Sequence, residues 1–246
     1  MQSLLFLGTD CKTLGEVKAG RLGPVTVALS PGSQADSPAL VHKGHSDEPN
    51  EDGLLVMHEP GRWLFAIADG HHGVEASHVI LEDLCEHCRS VPTKLGQIAL
   101  LLMQLPAWEE GGPSGSTLVI ACLEEASGKV CGFSFGDSSL ATLKGGQLRV
   151  WNQHNADFLR LEGPPPMDRA QPFEFVLQPD EMLLMFTDGV NECCYRDPHR
   201  SLQPEHFLRG LAAPEGPAEG LCRQALAGAD PHPGGQDNIA IICFSR

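Results

Sequence analysis

The stretch Trp63–Glu75, WLFAIADGHHGVE, decides how the rest of the chain is read. Its apolar run from Trp63 to Ala68 has the length and composition of a buried strand, and it stops abruptly at Asp69-Gly70, a turn dipeptide. The same device recurs. Met182–Phe186 ends at Thr187-Asp188-Gly189, and Cys131–Phe135 ends at Gly136-Asp137-Ser138. Near the C-terminus the order inverts, with Asp237-Asn238 standing immediately before the strand-like Ile239–Phe244. Carboxylates at strand ends and strand starts can meet at one edge of an antiparallel sheet, and such an edge is an acidic metal site.

Working outward, His58-Glu59-Pro60-Gly61 has turn chemistry, so Leu54–Met57 and Trp63–Ala68 are predicted to form a β-hairpin. A turn near residues 59–60 sets position 52 opposite roughly position 68. Glu51 and Asp52 are thereby expected beside Asp69. On the other side, apolar positions at 74, 80, 81, 84, 85 and 88 follow helical spacing from Val74 to Ser90. A shorter helix is expected over Thr93–Leu105, before Pro106.

Strand candidates then follow at Ser116–Leu123, Val130–Phe135, Leu140–Leu143, Leu148–Trp151, Phe173–Leu177 and Met182–Phe186. Two further helices are expected over 204–213 and 217–228, interrupted at Pro214. Upstream, Leu4–Leu7 and Val25–Leu29 are short strand candidates before the Ser30–Pro38 connection, and Lys43–Gly53 reads as a polar loop. Strands in adjacent groups and helices in pairs favour an antiparallel α+β fold over βαβ alternation.

Composition narrows the function. The 246 residues suit one domain or at most two. Acidic residues outnumber basic ones by 32 to 17, giving a net charge of −15, which argues against nucleic-acid binding. No stretch suits a membrane span, and Leu4–Leu7 is too short for a signal-peptide core. The nine cysteines lack framework spacing, and Cys122, Cys131 and Cys243 lie inside apolar runs, so a reduced, cytoplasmic setting is expected. Cys85-Glu-His-Cys88 is a lone CxxC in a helical stretch, weak grounds for zinc.

Asp69, Asp188 and Asp237 are thus expected to converge, with Glu51, Asp52 and Asp137 close by. So many anions cannot share a site uncompensated. All-oxygen ligation selects Mg²⁺ or Mn²⁺, and a pair of such ions activates water for phosphoester hydrolysis. His71, two residues after Asp69, is placed to act as general acid to the leaving oxygen, while His72 and His154 read as structural or solvent-facing.

The run ADGHHGVEAS resembles the DGHGG-x-EAS motif of the metal-dependent, 2C-type serine/threonine protein phosphatases, in the short form of bacterial regulatory members. Asn50-Glu51-Asp52, Gly115-Ser116-Thr117, Gly136-Asp137-Ser138, Thr187-Asp188-Gly189 and Gln236-Asp237-Asn238 follow in that family's order, over roughly residue 37 to the C-terminus. The resemblance implies a β-sandwich of two antiparallel sheets flanked by helix pairs, in a single domain over 1–246 with residues 1–36 an extension or extra strands. It implies that Asp69 bridges two metals, that the Gly70 carbonyl binds one, and that Asp188 and Asp237 complete the pair. Glu51 and Asp52 then act through water, and Asp137 shares a weaker third ion with Asp188. A phosphorylated protein is the implied partner, and a monomer without nucleic acid or membrane is expected.

Three departures bear on activity. Asp47 stands where the family usually has a phosphate-binding Arg, leaving Lys43 and His45 as the nearby cationic groups for substrate. His72 replaces a Gly in a tight turn. The segment from His154 to Asp188, which carries Pro164–Pro166, is short for the family's mobile flap. The reading is therefore a Mg²⁺/Mn²⁺-dependent protein phosphatase. Its rival is a catalytically weak, metal-binding recognition module, supported by Asp47; a two-metal nuclease is disfavoured by the acidic surface.

Overall fold

A computed structural model describes residues 1–39, 49–109 and 111–246. The strand Arg62–Ala68 (β5) lies inside a six-stranded sheet with β1 (Gln2–Leu7), β4 (Gly53–Glu59), β8 (Leu118–Glu124), β9 (Lys129–Phe135) and β13 (Gln171–Val176), in the order β1-β4-β5-β8-β9-β13. A second six-stranded sheet runs β11 (Gln147–Val150), β10 (Ser139–Lys144), β14 (Met182–Phe186), β15 (Ile239–Ser245), β3 (Val25–Ser30), β2 (Lys18–Leu22). All strand pairs in the two sheets are antiparallel.

Alternation along β5 explains why its sequence is apolar throughout. Side chains point to opposite faces in turn. Trp63, Phe65 and Ile67 enter the core between the sheets, where they meet Val27, Met185, Ile242 and Phe244 of the opposite sheet. Leu64, Ala66 and Ala68 face outward and are covered by helices α1 (Glu75–His87) and α2 (Leu95–Met103), through Ile80, Leu84, Ile98 and Leu102.

The second sheet does the same. Ile239, Ile241 and Cys243 pack beneath α4 (Pro204–Leu211) and α5 (Pro217–Ala227), which follow the one-turn helix α3 (Asp188–Asn191). The result is a helix–sheet–sheet–helix sandwich. Proline opens both α4 and α5 at a position whose amide has no intrahelical partner. The two helices approach so closely that a Cβ at Gly220 would lie 2.3 Å from the Gly210 carbonyl oxygen.

The hairpin register differs from the expectation by one residue. Gly53 pairs with Ala68 and Glu59 with Arg62, so the turn is at Pro60-Gly61 and the ladder runs Asp52 toward Asp69 rather than toward Ala68. β2 escaped the sequence reading because KAGRL is an edge strand with no apolar alternation. A small third sheet, β12 (Leu159–Arg160), β7 (Gly115–Ser116) and β6 (Gly70–His71), has strands too short to leave a periodic signal. The N-terminal strands are built into both sheets, β1 beside β4 and β3 beside β15.

Candidate metal centre and active site

The register of the sandwich brings the strand-end carboxylates to one end. In the first sheet Ala68 ends opposite Gly53, and Phe135 ends opposite Leu118. In the second, Phe186 ends opposite Ser139 and Ile241, and Ile239 starts opposite Ser30. The residues just beyond these ends are Asp52, Asp69, Asp137, Thr187, Asp188, Asp237 and Asn238.

Two side chains tie the sheets together there. Thr187 Oγ1 donates to Asp52 Oδ2 at 2.7 Å and accepts from the Ala240 amide at 2.9 Å. Asn238 Oδ1 accepts from the Glu51 amide at 2.9 Å, while its Nδ2 donates to the carbonyls of Pro31 and Pro49. Glu51 Oε1 in turn accepts from the Gly73 amide at 3.0 Å and so reaches the loop after Asp69. Gly70 is wedged against this segment. A Cβ there would sit 2.6 Å from the Glu51 carbonyl oxygen and 2.8 Å from Ser77 Oγ, so only glycine fits.

Above this frame lies a cavity of about 220 Å³ lined by His71, His72, Asp137, Asp188, Glu192 and Asp237, with Ala39 and Tyr195 at its sides. Asp69, Glu51 and Asp52 are wholly buried in the frame. Asp69 carries His71: Nδ1 of the imidazole lies 3.4 Å from the Asp69 carbonyl oxygen and 3.8 Å from its Oδ1. The Phe158 ring packs against the imidazole with centroids 4.5 Å apart. The Asp69 amide donates to Thr117 Oγ1 at 3.0 Å, and Thr117 Oγ1 is 2.8 Å from Ser138 Oγ.

Burial, followed by the Asp69 charge, pushes the Asp137 carboxyl above its ordinary value. Burial, followed by Asp137, does the same to Glu192. Asp137 Oδ1 is buried with no hydrogen-bond partner among the described residues. Anions that raise one another's affinity for protons, with an orphaned acceptor among them, fit an oxygen-ligated cation. Among the described residues, no group of three or more His, Cys, Asp or Glu side chains is arranged to hold a metal ion without further ligands. Mg²⁺ suits such an open arrangement, because it keeps several waters and takes only one or two carboxylates.

Asp137, Asp188, Asp237 and His71 line the cavity, while Asp69, Gly70, Glu51 and Asp52 lie beneath it. Lys43, His45 and Asp47 fall outside the described residues. His72 also lines the cavity, at a φ of +64°, and is the one non-glycine residue with positive φ among those described. His154 is held by Ser139, Nε2 to Oγ at 2.9 Å.

The sequence alone assigns no role to Glu192, Thr117, Thr187, Asn238 or Phe158. Glu192 carried a signal, lying four residues after Asp188, but only a helix turns that spacing onto one face. Thr187 and Asn238 flank the motif aspartates, and only the pairing of the sheets shows what they hold. All nine cysteines are free thiols. Cys88 is buried, and burial pushes its thiol up to about 11.

The family model of stage II sporulation protein E (SpoIIE) matches residues 59–246. No curated protein sequence matches the chain. Solved structures share its fold. One is the PPM Ser-Thr phosphatase MsPP from Mycobacterium smegmatis, in complex with cacodylate, at 18% identity and a TM-score of 0.60, covering 90% of this chain and 97% of that one. A bacterial serine phosphatase is similar at 14% identity and a TM-score of 0.66, covering 90% and 96%. RsbX in complex with magnesium is similar at 13% and 0.60, covering 93% and 98%.

Proposed function

We propose, from the premise that this chain belongs to the SpoIIE family of PPM-type phosphatases, that it hydrolyses phosphoserine and phosphothreonine monoesters in proteins with the help of Mg²⁺ or Mn²⁺. The observation that carries the proposal is the cavity at the end of the sandwich, where Asp137, Asp188, Asp237 and His71 meet above buried Asp69. Asp69, Asp188, Asp237 and the Gly70 carbonyl would hold two cations, Glu51 and Asp52 would act through water, and Asp137 with Asp188 would take a weaker third. Bound there, such cations would lower the pKa of the attacking water and offset charge on the phosphoryl oxygens.

The chain's own residues supply the rest. His71 Nδ1 faces Asp69, which fixes the ring and leaves Nε2 to hand a proton to the departing serine or threonine oxygen. Phe158 limits the ring's rotation and shields one side of it from water. Thr187 and Asn238 keep the carboxylates of both sheets in register, so the site does not depend on loop conformation alone. The same reading takes the chain as a single-domain, cytoplasmic monomer whose partner is a phosphorylated protein. Among the described residues no helix is long and apolar enough to cross a membrane.

Turnover of a phosphothreonine peptide, measured with Mn²⁺ and again after chelation, tests the proposal. Release of phosphate only with the metal supports it. Mn²⁺ binding without turnover would favour the recognition-module reading, whose support is Asp47 in place of the phosphate-binding Arg. Under the phosphatase reading Asp47→Arg adds a charge-assisted bond worth about 1.5–3 kcal/mol. KM for the peptide should then fall by around tenfold; an unchanged KM would show that Asp47 does not face the phosphate.

A further inference from the structure

A second cavity lies behind the wall of the catalytic one. Its volume is about 400 Å³, larger than the acidic cavity and within the range of small-molecule sites. Leu148, Val150, Phe186, Leu202, Pro204 and Phe207 supply its apolar lining. The rings of Phe186 and Phe207 meet at 5.6 Å with planes tilted by 58°, so the cavity offers aromatic surface. The polar lining is Asn152, Asn191, and the hydroxyl–imidazole pair of Ser139 and His154. The Asn152 side chain is already used, accepting from the Leu140 amide and donating to the Ser138 carbonyl. Asn191 Oδ1 is buried with no hydrogen-bond partner among the described residues, so it and the exposed imidazole of His154 are the polar groups left to meet a ligand.

We propose that this cavity is a binding site for a small, uncharged or weakly basic aromatic molecule, and that its occupancy is felt at the catalytic cavity. Size and lining set the aromatic body. Charge sets the rest: Glu192 and Asp137 lie just beyond the wall, and the chain carries a net charge of −15, so an anionic ligand is disfavoured. The coupling is built into the chain. Asn191 lines the apolar cavity and the next residue, Glu192, lines the acidic one. Phe186 lines the apolar cavity two residues before Asp188. The one-turn helix Asp188–Asn191 is thus the shared wall, and a molecule packed against it restrains the segment that carries Asp188. The cavity is separate from the proposed phosphatase chemistry, and its occupancy is read without turnover.

N-phenyl-1-naphthylamine, a neutral fluorophore that brightens in apolar surroundings, is the probe. Titrated into the intact chain, it should saturate at one molecule per protein. Val150, about half exposed on the edge strand β11, can be enlarged without opening the core. Val150→Trp should fill the cavity and weaken probe binding by at least tenfold. Leu100→Lys, at an exposed apolar position on α2 against the other sheet, should leave it unchanged. Hydrogen exchange of the amides from Asp188 to Cys194 should slow when the probe is bound. Non-saturating fluorescence, or binding that survives Val150→Trp, would overturn the site. Saturable binding without slower exchange in that segment would overturn the coupling.

Discussion

His71 and His72 are neighbours with opposite demands. His71 is oriented by Asp69 and Phe158, and its proposed task is to protonate the leaving oxygen. His71→Gln should lower kcat on a phosphothreonine peptide by roughly 10²–10⁴-fold. The loss should be smaller on an aryl phosphate, whose leaving group needs no proton, and metal binding should be unaffected. Equal losses on both substrates would give His71 a purely structural role. His72 pays for the tight turn: at φ +64° its Cβ crowds the backbone, a cost of about 1–2 kcal/mol for a non-glycine residue. Glycine adopts that conformation freely but loses more entropy on folding, so His72→Gly should stabilise the protein by about 0.5–1 kcal/mol. Urea denaturation reads that gain; a variant no more stable than the parent would mean that cavity contacts of the imidazole offset the strain.

Among the elements, α1 shows how an outer layer is tuned by charge. One face is fixed by Ile80, Leu81 and Leu84 against the sheet. On the other, burial raises the Glu82 carboxyl above its ordinary 4.5, and the charges of Glu86 and Asp83 push in the same direction. A carboxyl raised in the folded state holds its proton more tightly there than in the unfolded chain. Its contribution is therefore fully present below 4.5 and is lost as pH rises through the folded value. Glu82→Gln should make the protein more stable than the parent at pH 7, with the difference shrinking toward pH 4. Thermal melts of the two proteins across that range give the answer, and a pH-independent difference would place the effect in packing instead.

For the molecule as a whole, the end of the sandwich gathers Asp137, Asp188, Glu192 and Asp237 around one cavity. A divalent cation that binds only the folded protein should stabilise it by about 2.7 kcal/mol at a hundred times its dissociation constant. For a chain of this size that is a rise in Tm of roughly 5–10 °C. Titrating Mg²⁺ or Mn²⁺ into chelator-treated protein should raise Tm with concentration, and Asp237→Asn should blunt the response. A Tm indifferent to both metals would remove the metal centre while leaving the fold intact.

The sequence by itself determined the elements that are long, apolar and periodic. Met182–Phe186 was legible to the residue, and Trp63–Ala68 nearly so, because a strand buried on both faces leaves an unbroken apolar run. It also marked the aspartates, because each stands within two residues of the end or start of such a run. Tertiary structure decided what lies between sheets and across them. KAGRL became a strand only because the edge of the second sheet offers it a partner. The hairpin moved by one residue because turn geometry, not apolarity, sets register. Glu192 reached the cavity because Asp188 starts a helical turn, and Thr187 found Asp52, 135 residues away, because two sheets close face to face. Local pattern records what a residue needs buried; only the packed sheets decide which distant groups will meet its hydrogen bonds and its charge.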